Sequence, residues 1–258
     1  MDLSLTGCRF LLAELQLDYV LGKIDPREMN HALDSLPTGV TEVYNDILDR
    51  IGEKGADAKQ FAMRVLSLIF YAARPLRMTE LREALSVREG DRELNEQFML
   101  HPSAILQVCQ SLVTYEERND VVRFTHYSVQ EFLAGCKLLS HDVAAKACLA
   151  SLEFDMLEKG SYSQIPLLLH QDGPVTFLRY ALEFWGFHAK AAGESPDVQK
   201  AVLKILGSEN KRKWILQFEM QLYAIGGVPH KVNEDLSLLQ VIAKNGLATT
   251  CRIVLDRR

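Results

Sequence analysis

The sequence predicts a mainly α-helical chain in which a helical bundle carries a winged helix with a small β-hairpin and is followed by further helices. Three observations predict it. Apolar residues recur at helical spacing, as in Val40, Val43, Tyr44, Ile47, Leu48 and Ile51, the stripe of a helix with one buried face. Two β-prone runs, Leu112–Tyr115 and Val121–Phe124, lie close together across a polar pentapeptide and follow three helical stripes. From His141 onward the text is again helical, broken by short Gly/Pro/Ser stretches.

In chain order, Phe10–Leu21 reads as an apolar helix stopped by the Gly22–Pro26 stretch, and Pro37 with Gly39 marks the start of the 40–51 helix. A polar break at Gly52–Gly55 leads to the stripe of Phe61, Ala62, Val65, Leu66 and Ile69. Arg74-Pro75 interrupts it, because Pro disfavours helical geometry in the residue before it. Thr79 is then the expected N-cap of a short helix to Val87, followed by a charged loop, Arg88–Glu96. Pro102 opens a helix that buries Ile105, Leu106, Val108, Cys109 and Leu112. The hairpin turns through Glu116–Asp120, and Ser128 with Glu131 reads as a capping box for a helix to about Leu139. Three helices and then a hairpin is the order of a winged helix. Later helices are expected near 143–158, 164–170, 175–190, 197–206 and 211–224, with a boundary at Gly226–Pro229. The aromatic groups Phe184, Trp185 and Phe187, and Trp214 with Phe218, read as core or inter-helix packing.

Composition narrows function by exclusion. With 258 residues and 48% hydrophobic content the chain can bury sizeable cores. A net charge of -5 argues against a general basic field for nucleic acid. The most apolar stretch, Val65–Ala73, is far short of the ~20 residues of a membrane-spanning helix, so no membrane association is expected. The N-terminal MDLSLTG has an acid and no base, unlike a secretory signal. Five cysteines without a C-x-x-C suggest reduced thiols and a cytoplasmic setting. The only Gly-Lys pair, Gly22-Lys23, has Leu17 where a phosphate-binding loop needs its first Gly and Ile24 where it needs Ser or Thr. There is no G-x-S-x-G, no H-E-x-x-H and no Cys/His spacing for zinc, so no catalytic residue and no metal ligand is assigned.

One segment carries a resemblance. Phe124-Thr-His-Tyr-Ser-Val-Gln-Glu-Phe-Leu-Ala-Gly135 resembles the winged-helix signature of NACHT-type (STAND) signal-transduction NTPases, roughly F-x-H-x-S-x-Q-E-F-L/F-A. Leu36–Tyr44 with Ile47-Leu48, then Ala73–Leu76, Glu80-Leu81 and Ala84-Leu85, and later Tyr180-Ala181, Trp185 and His188, are similar to the fungal members of that class. The same region is also similar to the winged-helix domain of GPI inositol-deacylase-like proteins, a name that implies a lipase whose G-x-S-x-G is missing here. The tail, Ser237–Gly246 with Cys251 and Val254-Leu255, resembles the start of an ankyrin repeat, with Leu238 for the usual Pro and Gln240 for the usual His. An ordinary final helix hairpin is the other reading of that tail.

What the resemblance implies is a division of labour. Residues 1–55 would be a helical segment following a NACHT core absent from this chain, 56–140 the winged-helix domain, 141–230 a helical domain, and 231–258 a partial ankyrin-like repeat. The winged helix would close over the nucleotide-bearing core, and His126, matching the signature histidine, would contact the β-phosphate of ADP. Its place just before a helix N-terminus suits an anion. A histidine that caps or packs locally is the competing reading. No cofactor is expected in isolation, ADP or ATP entering only with the core. The expected partners are proteins, held by the ankyrin-like and helical surfaces. The function expected is therefore a non-catalytic regulatory and interaction module. Two alternatives stand beside it: an enzyme of unrecognised type, and a DNA-binding winged helix. The second is opposed by the lack of any Lys or Arg in residues 101–113 and by the acids Glu116, Glu117 and Asp120 around the turn.

Overall fold

A computed structural model describes residues 12–13, 16–17, 19–34, 36, 39–160, 175–225 and 237–256. The expected Phe10–Leu21 helix is described only at 12, 13, 16, 17 and 19–21, all helical. The expected 164–170 helix, the breaks at 161–163 and 171–174 and the Gly226–Pro229 boundary lie outside the described residues.

Helix α1, Pro26–Asp34, is an element the apolar stripes did not show, because it buries only Ala32. Its start is nonetheless local: the Asp25 carboxylate accepts the Arg27 N–H at 2.8 Å, with Pro26 in the first turn. Helix α2, Val40–Glu53, buries the expected stripe of Val43, Tyr44, Ile47, Leu48 and Ile51. Gly55, at φ +110°, takes a backbone conformation that side chains disfavour and turns the chain into α3, Ala56–Tyr71.

The next elements run β1 (Leu76–Arg77), α4 (Met78–Ser86), α5 (Pro102–Cys109), β2 (Val113–Glu116) and β3 (Val121–Phe124). The strands form an antiparallel sheet in the order β1-β3-β2, with Leu76 opposite Val122 and Val113 opposite Phe124. Helix, strand, two helices and a hairpin whose last strand is flanked by β1 and β2 make a winged helix, as expected. Leu76, Val113 and Val122 are buried, so the small sheet closes one side of the core made by α3, α4 and α5.

Two helix starts differ from expectation. Thr79 does not cap α4: Arg77 is the N-cap, Glu80 reaches back to accept the Arg77 N–H at 2.9 Å, and the Thr79 hydroxyl donates to Asp120 Oδ2 at 3.1 Å. Asp120 is held from three sides, since Tyr115 donates to its Oδ1 at 3.0 Å and the Met78 N–H to its carbonyl at 3.1 Å. The turn after β2 is thereby tied to α4, and Asp120 sits there in the left-handed region at φ +51°. The second is the helix after β3, α6 (Tyr127–Gly135), which begins before Ser128 and stops short of Leu139.

The expected 143–158 helix is two: α7, His141–Ser151, and α8, Asp155–Lys159. Leu152 and Phe154 turn into the core between them, and the Asp155 N–H bonds the Arg92 carbonyl at 2.8 Å, drawing the chain onto the charged loop. Helices α9 (Thr176–Ala191), α10 (Pro196–Gly207) and α11 (Glu209–Ile225) follow near their expected places. Trp185 and Trp214 are buried as expected, whereas Phe187 is exposed. A final pair, α12 (Leu238–Lys244) and α13 (Ala248–Leu255), is joined by a turn with Gly246 at φ +67°. Ser237 and Gln240 form a capping box at its head.

The winged helix is joined to the later helices by polar as well as apolar contacts. Arg74 makes a fork of two bonds to Glu80, at 2.6 and 2.8 Å, with its guanidinium 5.1 Å from the centre of the Tyr180 ring on α9. The Tyr180 hydroxyl accepts the Ala73 N–H at 2.8 Å. Glu80, almost wholly buried, is the ion-pair partner of Arg74.

Candidate functional site at the head of helix α6

Strand β3 ends at Phe124, and two residues carry the chain into α6. His126 is the N-cap, in extended conformation, and its Nδ1 accepts the Ser128 N–H at 3.2 Å. This is the job expected of Ser128, and the Ser128–Glu131 capping box does not form. The Ser128 hydroxyl instead lies 2.7 Å from His126 Nδ1 and 2.8 Å from the hydroxyl of Tyr44 on α2.

These contacts fix the state of the ring. A nitrogen that accepts a backbone N–H carries no proton, so the hydroxyl of Ser128 must donate to Nδ1. Its single hydrogen is then used, and the Tyr44 hydroxyl must be the donor in the Tyr44–Ser128 contact. The relay Tyr44 to Ser128 to His126 leaves the imidazole neutral with its proton on Nε2. Nε2 makes no hydrogen bond among the described residues. Tyr44 is almost fully buried, its ring 5.2 Å from that of Phe132 on α6, so a helix outside the winged helix proper holds the hydroxyl that completes the relay.

His126 is half-buried and lines an open cavity of about 320 Å³ between the end of α3 and the β3–α6 junction. Phe70, Arg74, Arg123, Phe124 and Tyr127 also line it. The Tyr127 ring lies 4.3 Å from the imidazole. Arg74 is committed to Glu80, while Arg123 is largely exposed and only 3.7 Å from Glu116. The histidine thus presents an N–H donor at a helix N-terminus with the exposed Arg123 on the same cavity wall, an arrangement suited to a single contact with an oxyanion. Both readings made from the sequence bear on His126: the local cap is observed, and the cap leaves the second nitrogen available.

Among the described residues no group of three or more His, Cys, Asp or Glu could hold a metal ion, and no helix is long and apolar enough to cross a membrane. Cys109 and Cys148 are fully buried, and burial pushes the Cys109 thiol up to about 12 and Cys148 higher still, so neither is a nucleophile at neutral pH. The sequence did not show Ser128 as a donor to the ring or Tyr44 as the partner of Ser128. No local pattern links positions 84 residues apart.

Comparison with known proteins agrees with the fold just described. The chain is 26% identical over 185 residues to the azaphilone pigments biosynthesis cluster protein L of Monascus ruber, an alignment covering 60% of this chain and 36% of that protein. The chain therefore spans about a third of its relative's length. No solved structure matches. Residues 50–146, which hold the sheet, α3 to α6 and His126, match the family described as GPI inositol-deacylase, winged helix domain.

Proposed function

We propose that this chain is a non-catalytic regulatory module, whose winged helix closes over a nucleotide-binding core lying outside this sequence and whose later helices engage protein partners inside the cell. The observation that carries the reading is His126: a helix-capping, neutral imidazole with Nε2–H turned to no protein partner among the described residues, at the N-terminus of α6 and on the wall of an open cavity. Such a donor can touch one phosphate oxygen. One contact of that kind is worth about 1.5–3 kcal/mol, enough to bias a closed state and too little to hold a nucleotide unaided. The NACHT assignment rests on the signature resemblance, and the ankyrin assignment on the tail, where the helix-turn-helix of α12 and α13 supports it. An acidic turn after β2 and an α5 without Lys or Arg favour protein over DNA as the partner.

Titration calorimetry of the chain with ADP and ATP tests the first half. No saturable micromolar binding is expected, and a tight stoichiometric isotherm would overturn the proposal. In a polypeptide that also carries the nucleotide core, His126→Ala is expected to speed ADP release by about tenfold or more, from the strength of that one contact. Unchanged release would remove His126 from the switch.

A further inference from the structure

Sharing no lining residue with the His126 cavity, a second cavity of about 350 Å³ is lined by α3, α4, α7 and α10. Leu68, Ala84, Val87, Ala147, Ala150 and Ala201 give it apolar walls. At the roughly 30 Å³ that one molecule occupies in liquid water, it has room for about a dozen heavy atoms. Its size and mostly apolar lining are those of a small-molecule site.

The polar groups at its edge are unevenly matched. Lys146 pairs with Asp197 at 2.7 Å, and Glu153 with Lys204 at 2.6 Å. Arg64 and Arg88 also line the cavity, and neither makes an ion pair among the described residues. Arg64 gives one N–H to the Leu85 carbonyl at 3.3 Å, a contact that neutralises no charge. The remaining acid, Glu89, is exposed on the turn beyond Arg88 and makes no ion pair with either guanidinium. Burial, reinforced by repulsion from Arg88, lowers the Arg64 pKa to about 10, the direction expected when cations share a site without an anion. Two guanidiniums with free donors match a carboxylate or phosphate in a way that no apolar molecule could exploit.

We propose that this cavity binds an amphipathic anion, a carboxylate or phosphate ester carrying an unbranched or compact apolar body of about ten carbons, with its charged head between Arg64 and Arg88 and its body along Leu68, Ala147 and Ala201. The site is independent of His126. Occupancy would tie α3 and α4 of the winged helix to α7 and α10 behind it, a route by which a metabolite could set their relative rigidity.

Calorimetry on the full chain with decanoate, decyl phosphate, decanol and inorganic phosphate tests it. Saturable single-site binding of decanoate or decyl phosphate is expected, and whichever is tighter identifies the head group. Decanol and inorganic phosphate should each bind at least about tenfold more weakly, because one lacks the charge and the other the apolar body. Arg88→Met, at an exposed position where folding is not at stake, should weaken binding by about tenfold, and Ala201→Leu should block it by filling the cavity. Melting curves of both variants confirm that they are folded. Absence of saturable binding by both amphipaths, equal binding of decanol, phosphate as tight as either amphipath, or unchanged affinity in Arg88→Met would each overturn the assignment.

Discussion

Glu83, on a helix of the winged helix, accepts the backbone N–H of Phe177 at 2.7 Å across 94 residues of chain. Its other oxygen accepts the N–H and the hydroxyl of Thr176, at 3.2 and 3.0 Å. A buried carboxylate from one segment thus serves as the N-terminal cap of α9, whose own N-cap residue, Val175, has no side chain able to do so. The helix macrodipole and three donors offset the cost of burying the charge, though burial still raises the Glu83 pKa from its ordinary value.

Glu83→Ala should therefore cost more than an ordinary surface change. It leaves the first N–H groups of α9 buried without an acceptor, a loss of about 2–4 kcal/mol from cap and desolvation together. Urea unfolding at pH 7 would measure it, and a loss under 1 kcal/mol would show that water replaces the carboxylate.

Gly186 lies mid-helix in α9, where alanine would ordinarily stabilise by about 1 kcal/mol. Here a Cβ would fall 2.0 Å from Oδ1 and 2.7 Å from Cγ of Asn245, in the turn between α12 and α13. Gly186→Ala is expected to push that turn away, giving a net loss of about 1–3 kcal/mol and faster proteolysis of the tail. Gly186→Ala with Asn245→Gly should recover most of it. A stabilised single variant would show that the tail does not pack on α9 in solution.

His188 is fully buried against Tyr180, whose hydroxyl is 2.8 Å from its Nε2, and its Nδ1 has no hydrogen-bond partner among the described residues. Burial, with a smaller push from His141, lowers its pKa from the ordinary 6.5 to about 4. The unfolded chain then takes up a proton that the folded chain refuses. Stability from this group is complete above pH 6.5 and is lost as pH falls toward 4, by about 3 kcal/mol at most. His141, lowered by burial in the same direction, adds to the trend. His188→Gln should flatten the difference in unfolding free energy between pH 7 and pH 4.5 relative to the parent chain. An unchanged pH profile would mean that the ring is protonated inside the fold.

Ser128 links Tyr44 to His126. Nitrogen NMR of the imidazole should show the Nε2–H tautomer in the parent chain and, because the backbone N–H of residue 128 still reaches Nδ1, the same tautomer in Ser128→Ala, with about 1–2 kcal/mol lost because the Tyr44 hydroxyl is left buried without that acceptor. Tyr44→Phe, which leaves the same backbone contact in place, should also keep the tautomer. A mixture in the parent spectrum would show that the backbone N–H does not hold Nδ1 as an acceptor.

The sequence by itself determined the local layer of this protein. Helical stripes such as Val43–Ile51, the paired β-prone runs and the Pro at the start of α5 act through neighbours within one or two turns, so periodicity and turn chemistry reveal them wherever the chain goes next. It also marked His126, through a signature of nearby residues. Tertiary structure decided everything that depends on distant partners. Ser128 had the spacing of a cap, but β3 ends so that His126 reaches the first N–H groups of α6, and the Ser128 hydroxyl bridges His126 to Tyr44. Thr79 falls inside α4, whose N-cap is Arg77 with its N–H held by Glu80, and Asp120 takes the Thr79 hydroxyl. The caps of α6 and α9, the fork between Arg74 and the buried Glu80, and the space that Gly186 leaves for Asn245 arise only on folding. Hydrogen-bond donors and acceptors buried in a core must find partners wherever packing brings them, and that choice is made in three dimensions rather than along the chain.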